Sequence, residues 1–189
     1  FRNSPALRYR GRVHEAVYRK QGELQLWIES QRLLIYHTGY SSRRIQAKLE
    51  RNMALLQADI AQNGEQPGQY RYLADCYFGM KDYEKTLHYA LLAIDAKVIS
   101  VGSQGDLYHL AIESMRQLQW PAEKMLPFVQ QAVEVFSELP DYYAERGMIL
   151  SSLGQCQEAV KDLEHAICIF EGKDGRVSHE ASYFKGAAD

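Results

Sequence analysis

Two stretches of this chain repeat one pattern of aromatic and small residues, and the repetition restricts the fold more than any other feature. The first stretch begins at Tyr70 and the second at Tyr143, 73 residues later. The repeated positions are Tyr70, Leu73, Ala74, Tyr77, Thr86, Ala90 and Ala93 in the first stretch, and Gly147, Leu150, Ala159, Leu163 and Ala166 in the second. Small residues at helical spacing let two antiparallel helices approach closely. The pattern therefore predicts helical hairpins.

Both stretches resemble the tetratricopeptide repeat, a helical hairpin with a period of about 34 residues. A separation of 73 residues is two such periods plus a few inserted residues, so one further repeat is expected in between. Its helices are predicted at residues 107–118 and 122–135. Pro121 suits a helix start, whereas Pro127 predicts a kink or a later helix start. We therefore expect about three tetratricopeptide-like repeats over residues 67–171.

Residues 41–64 are predicted to form a connecting or capping helix. Apolar residues recur there at spacings of three and four, at Ile45, Leu49, Met53, Leu56 and Ile60. Such a helix would cover the open first face of the repeats. Asn63-Gly-Glu-Gln-Pro-Gly then predicts a break. Residues 172–189 are interpreted as a C-terminal tail or as the start of a further helix.

Residues 1–40 have a different pattern. Residues 7–15 alternate in polarity, and Leu33-Leu-Ile-Tyr-His is a short apolar run, so both are strand candidates. Strands followed by a helical array indicate two architectural units.

Four motifs lie in order in the N-terminal part of the chain. They are Phe1-Arg-Asn, Gly11-Arg-Val-His-Glu, Ile35-Tyr-His-Thr-Gly-Tyr and Lys48-x-x-Arg-Asn-x-x-Leu-Leu. Together they resemble the stretch that closes the catalytic domain in bacterial family-2 glycosyltransferases with C-terminal tetratricopeptide repeats. Since the chain begins at Phe1 and not at methionine, we expect the front of that domain to lie upstream.

This resemblance implies a parent enzyme that moves a sugar from a nucleotide diphosphate, with Mn²⁺ or Mg²⁺ bridging the phosphates. The family's nucleotide-binding strands, acidic metal motif and usual catalytic carboxylate precede the segment that matches Phe1. We therefore expect that this chain alone does not catalyse transfer and binds no cofactor.

The resemblance also places His14 and Glu15 at the edge of the donor and acceptor cleft. A histidine there can contact a metal or a phosphate, and a carboxylate can accept a proton from the acceptor. The structural alternative is that His14 caps a strand and that Glu15 pairs with Arg10 or Arg12.

In helical-repeat proteins an extended concave surface commonly binds the partner. By analogy with other tetratricopeptide domains, the first helix of each pair lines this groove. The predicted groove residues are Arg71, Asp75, Phe78, Tyr108, Met115, Met148 and Ser151. The expected partner is a protein, a peptide or a glycan acceptor. The alternative is that these residues are ordinary surface and packing positions.

Composition excludes several classes of function. A net charge of −2 provides no broad positive field for nucleic acid. No apolar run approaches the roughly 20 residues that span a bilayer. Three widely spaced cysteines indicate neither a disulfide framework nor a zinc site, and they favour a reducing, cytoplasmic location. The oligomeric state stays open.

The sequence thus predicts a mainly α fold: a tetratricopeptide-like solenoid of helical hairpins, preceded in residues 1–40 by a strand-containing remnant of an α/β glycosyltransferase domain. Two functions follow from it. The chain is the repeat region of a glycosyltransferase that positions the acceptor, or it is a non-enzymatic scaffold that binds another protein.

Overall fold

A computed structural model of the chain describes residues 6–10, 16–19, 42–97 and 104–172. The chain divides into two compact units, residues 1–69 and residues 70–189. Within the described ranges there are two strands and seven helices. They are β1 (Leu7–Arg10), β2 (Ala16–Arg19), α1 (Ser42–Asn63), α2 (Pro67–Gly79), α3 (Tyr83–Asp95), α4 (Gln104–Gln117), α5 (Ala122–Val135), α6 (Pro140–Ser152) and α7 (Cys156–Gly172).

The strands of the first unit form one antiparallel hairpin, in which Leu7 lies opposite Arg19 and Arg10 lies opposite Ala16. Strand β1 occupies the first four residues of the strand predicted at residues 7–15, whereas β2 was not predicted. Residues 11–15 and the strand candidate at 33–37 lie outside the described residues. A hairpin of this size occurs in many folds and gives no support to a transferase domain.

Helix α1 agrees with the predicted amphipathic helix and buries Met53 and Leu56. It ends at Asn63, because Gly64 adopts a left-handed φ of 76° that favours glycine. The Gly64 N–H donates to the Ile60 carbonyl at 2.8 Å and closes the last turn. The capping role of α1 stays a prediction.

The helices after Gly64 form three consecutive hairpins, α2 with α3, α4 with α5, and α6 with α7. This number and order agree with the sequence prediction. Each hairpin turn contains one residue with positive φ: Lys81 (62°), Gln119 (55°) and Gly154 (75°). Each of these residues lies eleven positions after a tyrosine: Tyr70, Tyr108 and Tyr143. Tyr108 therefore occupies the position of Tyr70 in the middle repeat.

The hydrogen bonds of the turns confirm this equivalence. The N–H of Lys81 donates to the Phe78 carbonyl, and the next N–H donates to the Tyr77 carbonyl, both at 2.9 Å. The other two turns repeat both bonds at 3.0 Å, from Gln119 and Trp120 and from Gly154 and Gln155. This arrangement is a common way to satisfy the last carbonyls of a helix. The middle turn has one more residue than the others, inserted after Gln119.

An aromatic cluster centred on Tyr108 joins α4, α5 and α6. The Tyr108 ring lies 5.2 Å from the Phe128 ring, 5.4 Å from that of Phe136 and 6.3 Å from that of Tyr142. Such offset and edge-on ring pairs stabilise a core beyond the area that they bury. The cluster fixes the middle hairpin against the third one.

Pro127 lies inside α5, which begins at Ala122, so the predicted later helix start is wrong. Proline removes the N–H that would bond to the carbonyl four residues earlier, at Glu123. Both residues are exposed, so water can satisfy this carbonyl.

The third hairpin depends on a close approach at Gly147. A Cβ atom at this position would lie 2.9 Å from Leu163 Cγ and 3.1 Å from the Ala159 carbonyl oxygen. The absence of a side chain therefore lets α6 contact α7 closely.

We expect Gly147→Val to lower the free energy of unfolding by about 2 kcal/mol, because the added side chain forces α6 away from α7. Urea denaturation followed by circular dichroism measures this change. Gly68→Val is the matched control, since a Cβ at Gly68 meets no atom within 4 Å. A loss at Gly147 no larger than at Gly68 would contradict the close approach.

Candidate functional site

The structural register defines one surface, here named the first-helix face, from equivalent positions on α2, α4 and α6. Its residues are Arg71, Asp75 and Phe78 on α2, His109, Glu113 and Arg116 on α4, and Ala144, Met148 and Ser151 on α6. Asp106 and Glu145 join it through their ion pairs with arginines of this face. It therefore continues across all three hairpins.

Arg71 connects α2 to α4 on this face. Its Nη2 atom lies 2.6 Å from Asp106 Oδ2, and only 9% of the Arg71 side chain is exposed. Beside this pair, the Phe78 ring packs edge-on against the His109 ring at 6.3 Å. A largely buried, charge-assisted bond of this kind holds its partners in one geometry.

Arg116 connects α4 to α6 in the same way. Its guanidinium group donates to Glu113 on its own helix and to Glu145 on α6. Burial raises the pKa of Glu145, and the adjacent Arg116 opposes this effect. Removal of Arg116 would therefore leave a buried carboxylate without a cation.

Asp75 combines exposure with an unusual pKa. About half of its side chain, 48%, is open to water, and Arg71 Nε lies 3.9 Å away. Nevertheless, desolvation by the surrounding protein raises its pKa to about 6, against the attraction of Arg71. Asp75 is therefore an accessible carboxylate on this face.

Two predicted groove residues need correction. Tyr108 and Met115 are buried, at 4% and 3% exposure, and belong to the core. The prediction placed the middle repeat one residue out of register, because the spacing of the repeats is unequal: Tyr108 lies 38 residues after Tyr70 and 35 residues before Tyr143. The structure puts His109 and Arg116 at the corresponding positions.

The other predicted site residues have different outcomes. Arg71, Asp75 and Phe78 lie together on α2, whereas Met148 and Ser151 lie exposed on α6. His14 and Glu15 lie outside the described residues, so the structure does not test their predicted roles as catalytic or metal-binding groups.

Sequence reasoning missed the charged residues of α4, although a signal was present. Polar side chains recur at Asp106, His109, Glu113 and Arg116, at helical spacing. The remaining α4 side chains between Leu107 and Met115 are buried. A search for the polar stripe would have found the outward side of this helix.

A depression lies between α5, α6 and α7, with a volume of about 520 Å³. Its polar side is the ion pair in which Arg146 Nε and Nη2 donate to the two carboxylate oxygens of Asp162, each at 2.6 Å. Arg146 also donates to Gln130 on α5, and its guanidinium group lies over the Tyr143 ring. These contacts fix the second and third hairpins to each other.

The described side chains include no group of three or more His, Cys, Asp or Glu residues that could hold a metal ion. Cys76, Cys156 and Cys168 carry free thiols, and burial raises the pKa of the Cys76 thiol to about 11. Over the same residues, no helix has the length and apolar content that crossing a membrane requires.

His109 is expected to stay neutral in the folded protein well below pH 6.5. Burial, aided by the nearby Arg116 charge, lowers its pKa to about 3. The folded state thus binds this proton less readily than the unfolded chain does. The contribution of His109 to stability is therefore complete above pH 6.5 and decreases as the pH falls towards 3.

The His109 ring signals in a histidine NMR titration should accordingly not move between pH 7.5 and pH 4.5. The same signals in urea should titrate near pH 6.5. A midpoint near 6.5 in the folded protein would show that the ring is solvated.

No known protein family matches the sequence, and no curated protein does so. Solved structures resemble the fold. A MamA RS-1 ArsTM double mutant matches with a TM-score of 0.57 and 12% identity, over 70% of this chain and 73% of that chain. A further MamA crystal structure has a TM-score of 0.54 and 16% identity, over 82% of this chain and 95% of that one.

YrrB, "a TPR protein with an unusual peptide-binding site", matches with a TM-score of 0.54 and 20% identity. The match covers 71% of this chain and 66% of YrrB. At these identities the similarity concerns the fold alone. The fold of this chain is tetratricopeptide-like, and nothing in these comparisons indicates a glycosyltransferase.

Proposed function

We propose that this chain is a scaffold that binds an extended peptide segment of a partner protein along the first-helix face. The observation that carries this proposal is the continuous set of charged side chains from α2 through α4 to α6. These side chains lie apart from the aromatic core, and Arg71 and Arg116 each bridge two helices. Groups held by such pairs are organised before a ligand arrives, which lowers the entropy cost of binding.

The charge of the face favours a basic segment. The face carries two guanidinium groups and four carboxylates, the latter at Asp75, Asp106, Glu113 and Glu145. Asp75 is half exposed, so it offers a carboxylate to a lysine or arginine side chain. The printed description of YrrB as a TPR protein with a peptide-binding site adds support by analogy.

Three fluorescein-labelled ten-residue peptides, which differ only in whether they carry lysine, glutamine or glutamate, test this proposal by fluorescence anisotropy. We expect the lysine peptide to bind most tightly and its affinity to fall as salt is added. The double variant Asp75→Asn with Glu113→Gln should weaken this binding about tenfold, because it removes two of the four carboxylates.

The matched control is Glu164→Gln with Glu171→Gln, which removes the same charge from exposed positions on α7. This variant should bind the lysine peptide as the unmodified chain does. Equal losses in both double variants would show that only the net charge matters, and that the first-helix face is not the site.

The glycosyltransferase parent is a second hypothesis. It is supported by the sequence motifs between Phe1 and Leu56 and by no structural likeness. In this hypothesis the parent uses a nucleotide-diphosphate sugar with Mn²⁺ or Mg²⁺, and this chain positions a peptide or glycan acceptor. His14 and Glu15 would then lie at the cleft of the parent.

Hydrolysis of a panel of nucleotide sugars, with Mn²⁺ or Mg²⁺, compares the whole product of the parent gene with this chain. Under this second hypothesis, we expect the whole product to hydrolyse a nucleotide sugar and this chain alone not to do so. If the whole product extends upstream of Phe1 but contains no nucleotide-binding strands there, the hypothesis is wrong.

Free thiols at all three cysteines are typical of a reducing compartment, and they support our proposal of a cytoplasmic location.

A further inference from the structure

Three apolar residues on α7 form an exposed surface, here named the end face. They are Val160, Leu163 and Ile167, at 52%, 36% and 56% exposure. In the structural register their equivalents are Leu87, Ala90 and Ile94 on α3, and Leu126, Val129 and Val133 on α5. All nine residues are apolar, although the sequences around them differ.

The same positions are covered in the first two hairpins. Ala90 and Val129 are 0% exposed where Leu163 is 36% exposed, and Val133 is 5% exposed where Ile167 is 56% exposed. The cover is the first helix of the following hairpin, because α3 packs along α4 and α5 packs along α6. The end face is thus a repeat-to-repeat interface whose second side is not among the described residues.

The sequence after α7 has the residues that this missing side requires. Val177, Ala181 and Phe184 lie 34 residues after Tyr143, Gly147 and Leu150, which is one repeat period. Phe184 thereby occupies the position of Leu150, which lines one depression with Leu126 of the preceding hairpin. These residues lie outside the described part of the chain, and their sequence alone supports this step.

In this register residues 174–186 correspond to the 13 residues of α6.

We propose that the end face binds a fourth first helix, which residues 174–186 of this chain supply. Leu126 and Leu150 line one depression in the preceding interface, so their equivalents Val160 and Phe184 meet in this one. The antiparallel order of the two helices then places Val177 against Ile167. This contact also extends the first-helix face by Ser178, Ser182 and Lys185, the equivalents of Ala144, Met148 and Ser151. The inference is independent of which ligand the first-helix face binds.

A double-mutant cycle on the full chain tests this contact, with Val160→Ser, Phe184→Ser and the double variant followed by thermal unfolding. If the two residues share one interface, each single variant should lower the Tm by about 3 to 6 °C. The double variant should then lower the Tm little further. Additive losses, or no loss from Phe184→Ser, would overturn the proposal.

Val135→Ser is the matched control, since Val135 is 50% exposed on α5 and lies outside the end face. Its effect should add to that of Phe184→Ser. In a chain that ends at Gly172, Val160→Ser should no longer lower the Tm, and a loss as large as in the full chain would again overturn the proposal.

Sedimentation velocity over a hundredfold range of concentration tests whether a second copy of the chain occupies the end face instead. The full chain should sediment in the same way whether or not it carries Ile167→Ser. An oligomer that Ile167→Ser dissociates would assign the end face to a second copy of the chain and overturn the proposal.

Discussion

The second helix of each hairpin carries an apolar stripe that its own first helix covers only in part, and the architecture depends on burying this stripe against the next hairpin. Ala90 and Val129 are fully buried where α4 and α6 follow them in the array, whereas the equivalent Leu163 is 36% exposed. A hairpin of about 30 residues cannot bury enough apolar surface to be stable alone. Each repeat is therefore stable only when it packs against its neighbours, whether or not a ligand binds.

The first helices contribute one side to the aromatic cluster around Tyr108 and the opposite side to the ion pairs of Arg71 and Arg116. Apolar side chains face inward to join successive hairpins, and the charged side chains that face outward join the first helices to one another. Because the outward pairs are partly shielded from water, they hold their geometry better than fully exposed pairs do. The surface proposed for peptide binding is thus supported by the contacts that stack the repeats.

Local sequence predicted much of this fold. The first and third hairpins were predicted from Tyr70 and Tyr143 together with the small residues that follow them, and the helix at residues 41–64 from its spacing of apolar residues. The middle repeat was placed one residue out of register, so Tyr108 and Met115 were assigned to the groove. The cause is physical: the residues in excess of the 34-residue period lie in the connections, about four before Tyr108 and one after it, and no single helix reveals how they are divided. Likewise, the four residues of β2 become a strand only because β1 pairs with them.

The sequence by itself determined the number of hairpins, their order and the chemistry of their faces, because helical periodicity and small residues act over a few neighbouring positions. Only the tertiary structure decided the register of the middle repeat, the pairing of Arg71 with Asp106 and of Arg116 with Glu145, and the exposure of the end face. These features depend on contacts between residues 29 to 35 positions apart. Such contacts arise when whole hairpins pack together, and local sequence patterns do not encode which side chains then meet.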